Sequence, residues 1–255
     1  MSHTDELYLG KTSYQVLGKR PVRHDGADKV TGKAVYAADV QLANMAHGKI
    51  VRSPHAHARI KSIDASEAVK IPGVFAAVTA ADFPDLESRS EVMGEGGAVN
   101  LAHMAANCLA MGKVLYKGHP VAAVAAANVH LAEEAAAKIK VEYEVLPSVT
   151  WVLDAMKDDA PLLHEDLRTD SMGKKGDRPT NVALHLQFEK GNIAEGFQQA
   201  DIVVEREFRT ASVHQGYIEP HATVALWNED NRLKIWASTQ GAFNCRQQVV
   251  SASPS

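Results

Sequence analysis

Cysteine is scarce in this sequence. Its 255 residues include two cysteines, Cys108 and Cys245. An iron–sulfur cluster needs four thiolate ligands, so the chain cannot hold one with its own cysteines. Two distant cysteines also give no reason to expect a disulfide. Their scarcity favours a reducing compartment, and we expect the protein to be cytoplasmic.

The sequence also lacks an excess of positive charge and a long apolar run. The formal net charge is −4, which excludes an electrostatic case for binding nucleic acid or an anionic membrane surface. No stretch approaches the roughly 20 apolar residues of a membrane-spanning helix. Hydrophobic residues make up 45% of the chain and charged residues 23%, which is ordinary for a globular protein with one large core or two smaller ones.

Histidine, by contrast, is plentiful, with twelve in the chain. The densest group is His47, His55 and His57. A His-x-His pair could bind zinc, but no cysteine or suitably spaced carboxylate completes a tetrahedral set. We therefore expect polar side chains that form hydrogen bonds or lie at an interface.

The first half of the chain predicts an α+β domain over residues 29–150, preceded by an arm over 1–28 that lacks periodicity. Residues 66–70 predict a short helix capped by Ser66, and Asn128 is expected to cap a longer one. Residues 84–112 are weakly patterned, and Gly94, Gly96 and Gly97 favour a flexible loop over a phosphate-binding loop, since no Lys-Ser or Lys-Thr follows. The predicted strands are 34–37, 48–52, 58–63, 74–79, 120–125 and 141–145.

The second half predicts a polar linker over 151–180 and a second domain over 181–255. Residues 182–188 and 202–208 alternate as strands, and Asn192 is placed to cap a short helix between them. Residues 222–227 and 233–237 predict a hairpin. In it, Trp227 and Trp236 are expected to form a cross-strand pair.

Ordered segments across both halves resemble one family. The segments 23–39, 52–60, 72–82, 118–125 and 132–147 are similar to the α/β hammerhead domain of the molybdenum hydroxylases, the family of xanthine dehydrogenase and aldehyde oxidase. The segments 181–183, 189–197, 200–204, 213–222 and 238–243 resemble the start of the molybdopterin-binding domain of the same large subunit. The fold expected from this resemblance is a hammerhead domain followed by the incomplete start of a molybdopterin-binding domain.

The resemblance also implies an activity. Members hydroxylate aldehydes or N-heterocycles with oxygen taken from water, at a molybdenum–molybdopterin cofactor. Electrons then pass through iron–sulfur clusters to FAD or another acceptor. In many bacterial members the clusters and the flavin are carried by separate subunits. We therefore expect an iron–sulfur subunit and a FAD subunit as partners, together with the remainder of the large subunit if it is separately encoded.

Three residues match cofactor-facing positions of the family. Gln240 matches a glutamine whose amide N–H points at an oxo ligand of molybdenum, and a neutral amide can donate there without binding the metal directly. Gly241 would let the backbone pass close to the cofactor, and Phe243 could line the site or pack in a core. Glu219 is expected to be structural, accepting backbone N–H groups. No residue matches the family's catalytic glutamate.

Other parts of the family's active site do not occur in the sequence. These include a Gly-Gly-Gly-Phe-Gly loop and the segments that bind the pterin pyrophosphate. We expect a chain inactive by itself, through truncation, a frameshift or a split subunit, in which residues 1–150 fold alone. The alternative function is a non-catalytic remnant or interaction module that keeps the docking surface of the hammerhead domain.

Overall fold

The computed structural model describes residues 14–84, 86, 90–92 and 98–252. Its strands are β1 (His47–Arg52), β2 (Ala58–Asp64), β3 (Val74–Thr79), β4 (Ser90–Val92), β5 (Ala98–Asn100), β6 (Lys113–Val114), β7 (Pro120–Ala126), β8 (Lys140–Val145), β9 (Arg168–Ser171), β10 (Lys174–Pro179), β11 (Leu184–His185), β12 (Thr223–Trp227) and β13 (Leu233–Ala237). Its α-helices are α1 (Gly26–Val30), α2 (Leu101–Cys108), α3 (Val129–Lys138), α4 (Val152–Ala155), α5 (Ile193–Gln199) and α6 (Ala242–Ala252). Helices and strands are mixed throughout, which confirms the α+β class.

The chain divides into two compact units. The larger unit contains Leu42–His214 and Thr239–Ser255, and the smaller contains Met1–Gln41 and Gln215–Ser238.

The larger unit has its main core between an antiparallel sheet and a helix. The sheet has the strand order β1–β7–β3. Because side chains alternate along β7, Ala122, Val124 and Ala126 share one face, where they pack with Ala132 and Ala135 of α3. Helix α3 begins as predicted, since the Asn128 side-chain oxygen accepts the Leu131 N–H at 2.9 Å.

A second core of the larger unit lies beside the sheet β6–β2–β8. Its buried members are Ala58, Ala110, Val114 and Val121. Val51 of β1 packs against both cores, so the two sheets share one continuous apolar interior. Helix α2 begins next to this region, where the Asn100 side chain accepts the His103 N–H at 3.0 Å.

The span predicted as a linker contains strands. Strands β9 and β10 lie within 151–180, and the sheet order is β10–β9–β11. Asn181 fixes the preceding turn: its amide donates to the carbonyls of Ala155 and Pro161, each at 3.0 Å, and its oxygen accepts the Leu163 N–H at 3.0 Å. The boundaries of the linker remain a prediction.

The smaller unit contains the predicted hairpin. Strands β12 and β13 pair in antiparallel fashion, with Trp236 opposite Val224 and Trp227 opposite Leu233. The predicted tryptophan pair is therefore wrong, because the loop between the strands sets a register that places the rings apart. Instead, the Lys234 ammonium lies 4.5 Å from the Trp236 ring centre, a cation–π contact.

Two predictions in the first half are wrong. Residues 34–37 do not form a strand; a 3₁₀ turn, Ala37–Asp39, begins there, and the Asp39 carboxylate accepts the Tyr36 N–H at 2.9 Å. Residues 66–70 form turns rather than a helix, and the Ser66 N–H donates to Asp64 at 2.9 Å. In both places a nearby aspartate offers the backbone an alternative to regular structure.

Other differences concern long-range pairing. The span 84–112 contains β4, β5 and α2, while Gly94, Gly96 and Gly97 lie outside the described residues. Of the predicted strand at 182–188, only Leu184–His185 pairs, and residues 202–208 form no strand. Alternation marks a segment that could be a strand, but a strand also needs a partner for its backbone. The Asn192 cap of α5 is confirmed, with the Glu195 N–H donating to it at 3.0 Å.

Candidate functional site

The predicted cofactor-facing residues lie at the start of helix α6. The chain leaves β13 at Ala237 and enters α6 at Ala242. The Thr239 hydroxyl accepts the Gly241 N–H at 3.1 Å, and the Gly241 carbonyl accepts the Cys245 N–H at 2.9 Å. Gln240 therefore lies on a short loop that is held at its end by a side chain and by the first bond of the helix.

The side chains at this helix start face outward. Gln240 is exposed, and 85% of the Phe243 surface is accessible. The first amides of an α-helix have no acceptor within the helix and carry partial positive charge. Gln240 and the start of α6 together can therefore offer uncharged N–H donors to an oxygen-rich group.

Asn244, in the first turn of α6, adds an unsatisfied acceptor. Its side-chain oxygen is buried and has no hydrogen-bond partner among the described residues. A buried amide oxygen without a donor costs free energy, so this position suits a group that carries N–H. Sequence patterns gave no signal for Asn244, because no helix was predicted over this segment and the burial of its side chain depends on the fold.

The Glu219 carboxylate accepts a hydrogen bond from a side chain, whereas backbone N–H donors were predicted for it. Its carboxylate is 3.0 Å from the Ser238 hydroxyl, and the Ser238 backbone N–H donates to the Ala222 carbonyl at 3.1 Å. Ser238 therefore ties residues 219–222 to the end of β13.

His55 and His57 are built into the fold. His57 is buried, with 4% of its surface exposed, and its Nδ1 lies 2.6 Å from the Pro147 carbonyl oxygen. His55 packs edge-on against Tyr143 at 5.0 Å between ring centres. Burial in its own domain corrects the expectation of an interface role for His57. Within the described residues, no three His, Cys, Asp or Glu side chains form a metal-binding group.

His119 is a buried histidine that sequence reasoning missed. Its Nδ1 accepts the Leu115 N–H at 3.2 Å and its Nε2 lies 2.9 Å from the Ala106 carbonyl. This pattern requires the neutral ring with the proton on Nε2. Burial lowers the pKa of His119, so the ring is a structural element of the fold at neutral pH.

Two family models match the chain in succession. The model described as "Aldehyde oxidase and xanthine dehydrogenase, a/b hammerhead domain" matches residues 31–147. The model described as "Molybdopterin cofactor-binding domain" matches residues 174–253. The start of α6, with Gln240, lies inside the second match.

Similar proteins support the same relationship. The chain is 32% identical over 242 residues to the nicotinate dehydrogenase large molybdopterin subunit of Eubacterium barkeri, covering 95% of this chain and 51% of that protein. It is 36% identical to the carbon monoxide dehydrogenase large chain of Afipia carboxidovorans, covering 92% of this chain and 29% of that one. The chain thus spans about half or less of the length of these relatives.

A solved structure confirms the fold. The crystal structure of a Cu,Mo-CO dehydrogenase aligns with 92% of this chain and 29% of its own, with a TM-score of 0.72 and 34% identity. No helix in the described part of the chain is long and apolar enough to cross a membrane. The chain belongs to the xanthine dehydrogenase and aldehyde oxidase family of molybdenum hydroxylases, in which it matches a part of the molybdopterin-binding large subunit.

Proposed function

We propose that this chain is a component of a molybdenum-dependent oxidoreductase that hydroxylates an aldehyde or an N-heterocycle with oxygen derived from water. The observation that carries the proposal is the exposed Gln240 amide on a held loop at the start of α6, inside the segment that matches a molybdopterin-binding domain.

The residues at the start of α6 fit the expected cofactor. Molybdenum–molybdopterin, when bound, supplies two-electron oxidation at the metal. Gln240 would donate an N–H to an oxygen of the cofactor, and its lack of charge would leave the metal's electron density little disturbed. Gly241 lets the backbone approach a bulky group, and Phe243 lines the site. The unsatisfied Asn244 oxygen would accept an N–H from the cofactor.

The proposal includes further polypeptide that completes the site. Large apolar side chains of the second half face solvent, among them Phe188 at 88%, Ile202 at 81% and Phe208 at 84% exposed. Large apolar side chains that are exposed to this degree favour association. We assign the arm to 1–28, the hammerhead domain to 29–150, the linker to 151–180 and a partial molybdopterin-binding domain to 181–255.

Electron transfer belongs to partners in this proposal. An iron–sulfur subunit and a FAD subunit carry the remaining redox groups, because this chain offers two thiols in all. Those two, Cys108 and Cys245, are free cysteines, which suits a reducing, cytoplasmic location.

Co-expression tests the proposal. The chain is produced with the remainder of a large subunit and with iron–sulfur and FAD subunits from one operon, and the purified complex is assayed for molybdenum, iron and hydroxylase activity. We expect molybdenum in the complex and none in the chain alone. A Gln240→Leu variant should keep its molybdenum and lose activity by about 10²-fold, as expected for removal of one positioned donor.

Gln198→Leu is the matched control, because Gln198 is an exposed glutamine on α5. It should retain full activity. A complex that forms without molybdenum would favour the alternative, an interaction module that keeps only the hammerhead docking surface. A fully active Gln240→Leu complex would remove the assigned role of the amide while leaving family membership intact.

A further inference from the structure

Two like charges lie opposite each other where β2 meets β6. Arg59 pairs with Lys113 across the two strands. Like charges directly across a sheet repel, so this pair needs a compensating anion. Glu165 supplies it: one carboxylate oxygen lies 2.6 Å from Arg59 Nη2 and 3.6 Å from Lys113 Nζ.

The Lys113 ammonium depends on that carboxylate. Its Nζ is buried and has no hydrogen-bond partner among the described residues. A buried cation is costly unless a counter-charge is near. Glu165 therefore attaches the segment 163–166 to the sheet β6–β2–β8 by charge, and Arg59 and Lys113 hold its pKa below the ordinary value.

The neighbouring residue, His164, makes the second attachment. Its ring stacks on His103 of α2, with 5.1 Å between ring centres and 28° between planes. Two neutral imidazoles stack readily, whereas two imidazolium ions repel each other. Lys113 adds a third positive charge nearby, and Asp166 is the carboxylate that opposes it. His164, Lys113 and Asp166 line a cleft of about 350 Å³ together with Leu163 and Met111.

The far side of the segment is anchored independently of charge. The Leu163 N–H donates to Asn181, and the Thr180 N–H donates to the Leu167 carbonyl at 3.1 Å. The ends of the segment thus remain tied to residues 180–181 when its contacts with α2, β2 and β6 change. Those contacts rest on Glu165 and His164.

We propose that residues 163–166 form a pH-sensitive latch, in which protonation of His164, which stacks on His103, releases the connecting segment from the hammerhead domain. The inference does not depend on the proposed chemistry, because it involves no cofactor.

The direction of the pH effect follows from His164. In the latched state, burial first, then His103 and Lys113, lower the pKa of His164 below its ordinary 6.5. A released His164 takes up its proton near 6.5. The latch therefore has its full strength above pH 6.5 and weakens as the pH falls below that value. Glu165 remains ionised through this window because its own pKa is lowered.

Hydrogen exchange on the whole chain tests the latch. Peptides covering 163–171 are followed at pH 7.5, 6.5 and 5.5, with rates corrected for the intrinsic pH dependence of exchange. We expect the corrected opening of this segment to rise on acidification by up to about tenfold per pH unit. A His164→Phe variant, which keeps an aromatic ring and removes the proton site, should show no such rise.

His130→Phe serves as the control, since His130 is exposed on α3; it should respond like the unmodified chain. The proposal is overturned if the corrected opening of residues 163–171 in the unmodified chain does not change with pH. It is also overturned if the His164→Phe variant shows the same pH response as the unmodified chain. If that variant does not fold, an NMR titration decides: His164 titrating below 6.5 together with the opening supports the latch, and titration at or above 6.5 overturns it.

Discussion

Two regions of the chain differ in the burial of their apolar residues. Among the described residues, the region 42–147 contains buried apolar side chains and the region 181–252 contains none. The described buried hydrophobic residues run from Ala37 to Ile139, and beyond Ile139 no described residue is buried. In the second region, by contrast, Phe188, Phe208 and Phe243 are each more than 80% exposed. The region 42–147 therefore buries apolar surface within itself, and the region 181–252 does not.

The difference has a structural cause. In the first region, β7 is central in a sheet and α3 covers one face, so seven buried side chains form one cluster. In the second, β12 and β13 pair only with each other among the described strands. A two-stranded hairpin is marginally stable by itself in water. Two regions of one chain can therefore differ in stability, because the stability of each region depends on the apolar surface that it buries itself.

Limited proteolysis should show the largest contrast. We expect a protease to remove the region 181–252 first and to leave a resistant fragment that includes 42–147, because local opening is easiest where few side chains are buried. Mass spectrometry of the time course identifies the surviving fragment. Survival of 181–252 after the first region has been degraded would reverse the comparison.

Truncation of a buried leucine should give the largest effect on stability. Leu101 is fully buried, and Leu101→Ala should lower the free energy of unfolding by about 2–5 kcal/mol. Phe208→Ala, at a residue that is 84% exposed, should change it by roughly 0.5 kcal/mol or less. Urea unfolding of both variants measures the difference. Equal costs would show that Phe208 is buried in solution.

A pair of glycines should give a smaller effect. Gly73 has a φ of +91°, and an added Cβ would lie 2.9 Å from Leu131 Cδ1 of α3. Gly191 has a φ of +77° with open space around it. Both alanine variants should be strained by about 1–3 kcal/mol, and Gly73→Ala should cost more because the Leu131 side chain must also shift. Thermal unfolding compares them; a larger cost at Gly191 would contradict the packing difference.

The pH dependence of stability should give the smallest effect. The folded pKa of His119 lies below its ordinary 6.5, with burial as the largest cause. The unfolded chain therefore binds a proton first as pH falls, and stability should decline below pH 6.5 by at most about 1.4 kcal/mol per pH unit. His119→Asn should reduce this slope, whereas His221→Asn, at an exposed residue of the smaller unit, should not. Unfolding midpoints at several pH values provide the measurement. If stability declines equally with pH in the unmodified chain and in both variants, His119 does not cause the decline.

Much of the first region could be predicted because its signals are local. The Asn128 side chain caps α3 by accepting an N–H from three residues further along the chain. The buried face of α3 includes Ala132 and Ala135, which lie within one turn of the helix. Strand positions follow from alternation over six residues. The position of Gln240 next to a helix start was not predicted from periodicity, and its cofactor role remains a prediction that came from resemblance.

The failures at the hairpin and at residues 202–208 share one physical feature, which is that each depends on pairing between strands rather than on nearby residues. Trp227 and Trp236 were paired wrongly because the register of a hairpin depends on its loop. Residues 202–208 alternate but find no partner strand among the described residues.

The sequence by itself determined the family, the α+β class, the caps at Asn128 and Asn192 and the apolar face of α3, because these depend on residue types a few positions apart. Only the tertiary structure decided that His57 and His119 are buried, that Ser238 holds Glu219, and that Glu165 lies against Arg59 and Lys113. The contact between Ser238 and Glu219 joins residues that are 19 positions apart, and the contact between Arg59 and Glu165 joins residues that are 106 positions apart. They exist only once the sheets have closed and brought their charges and rings together.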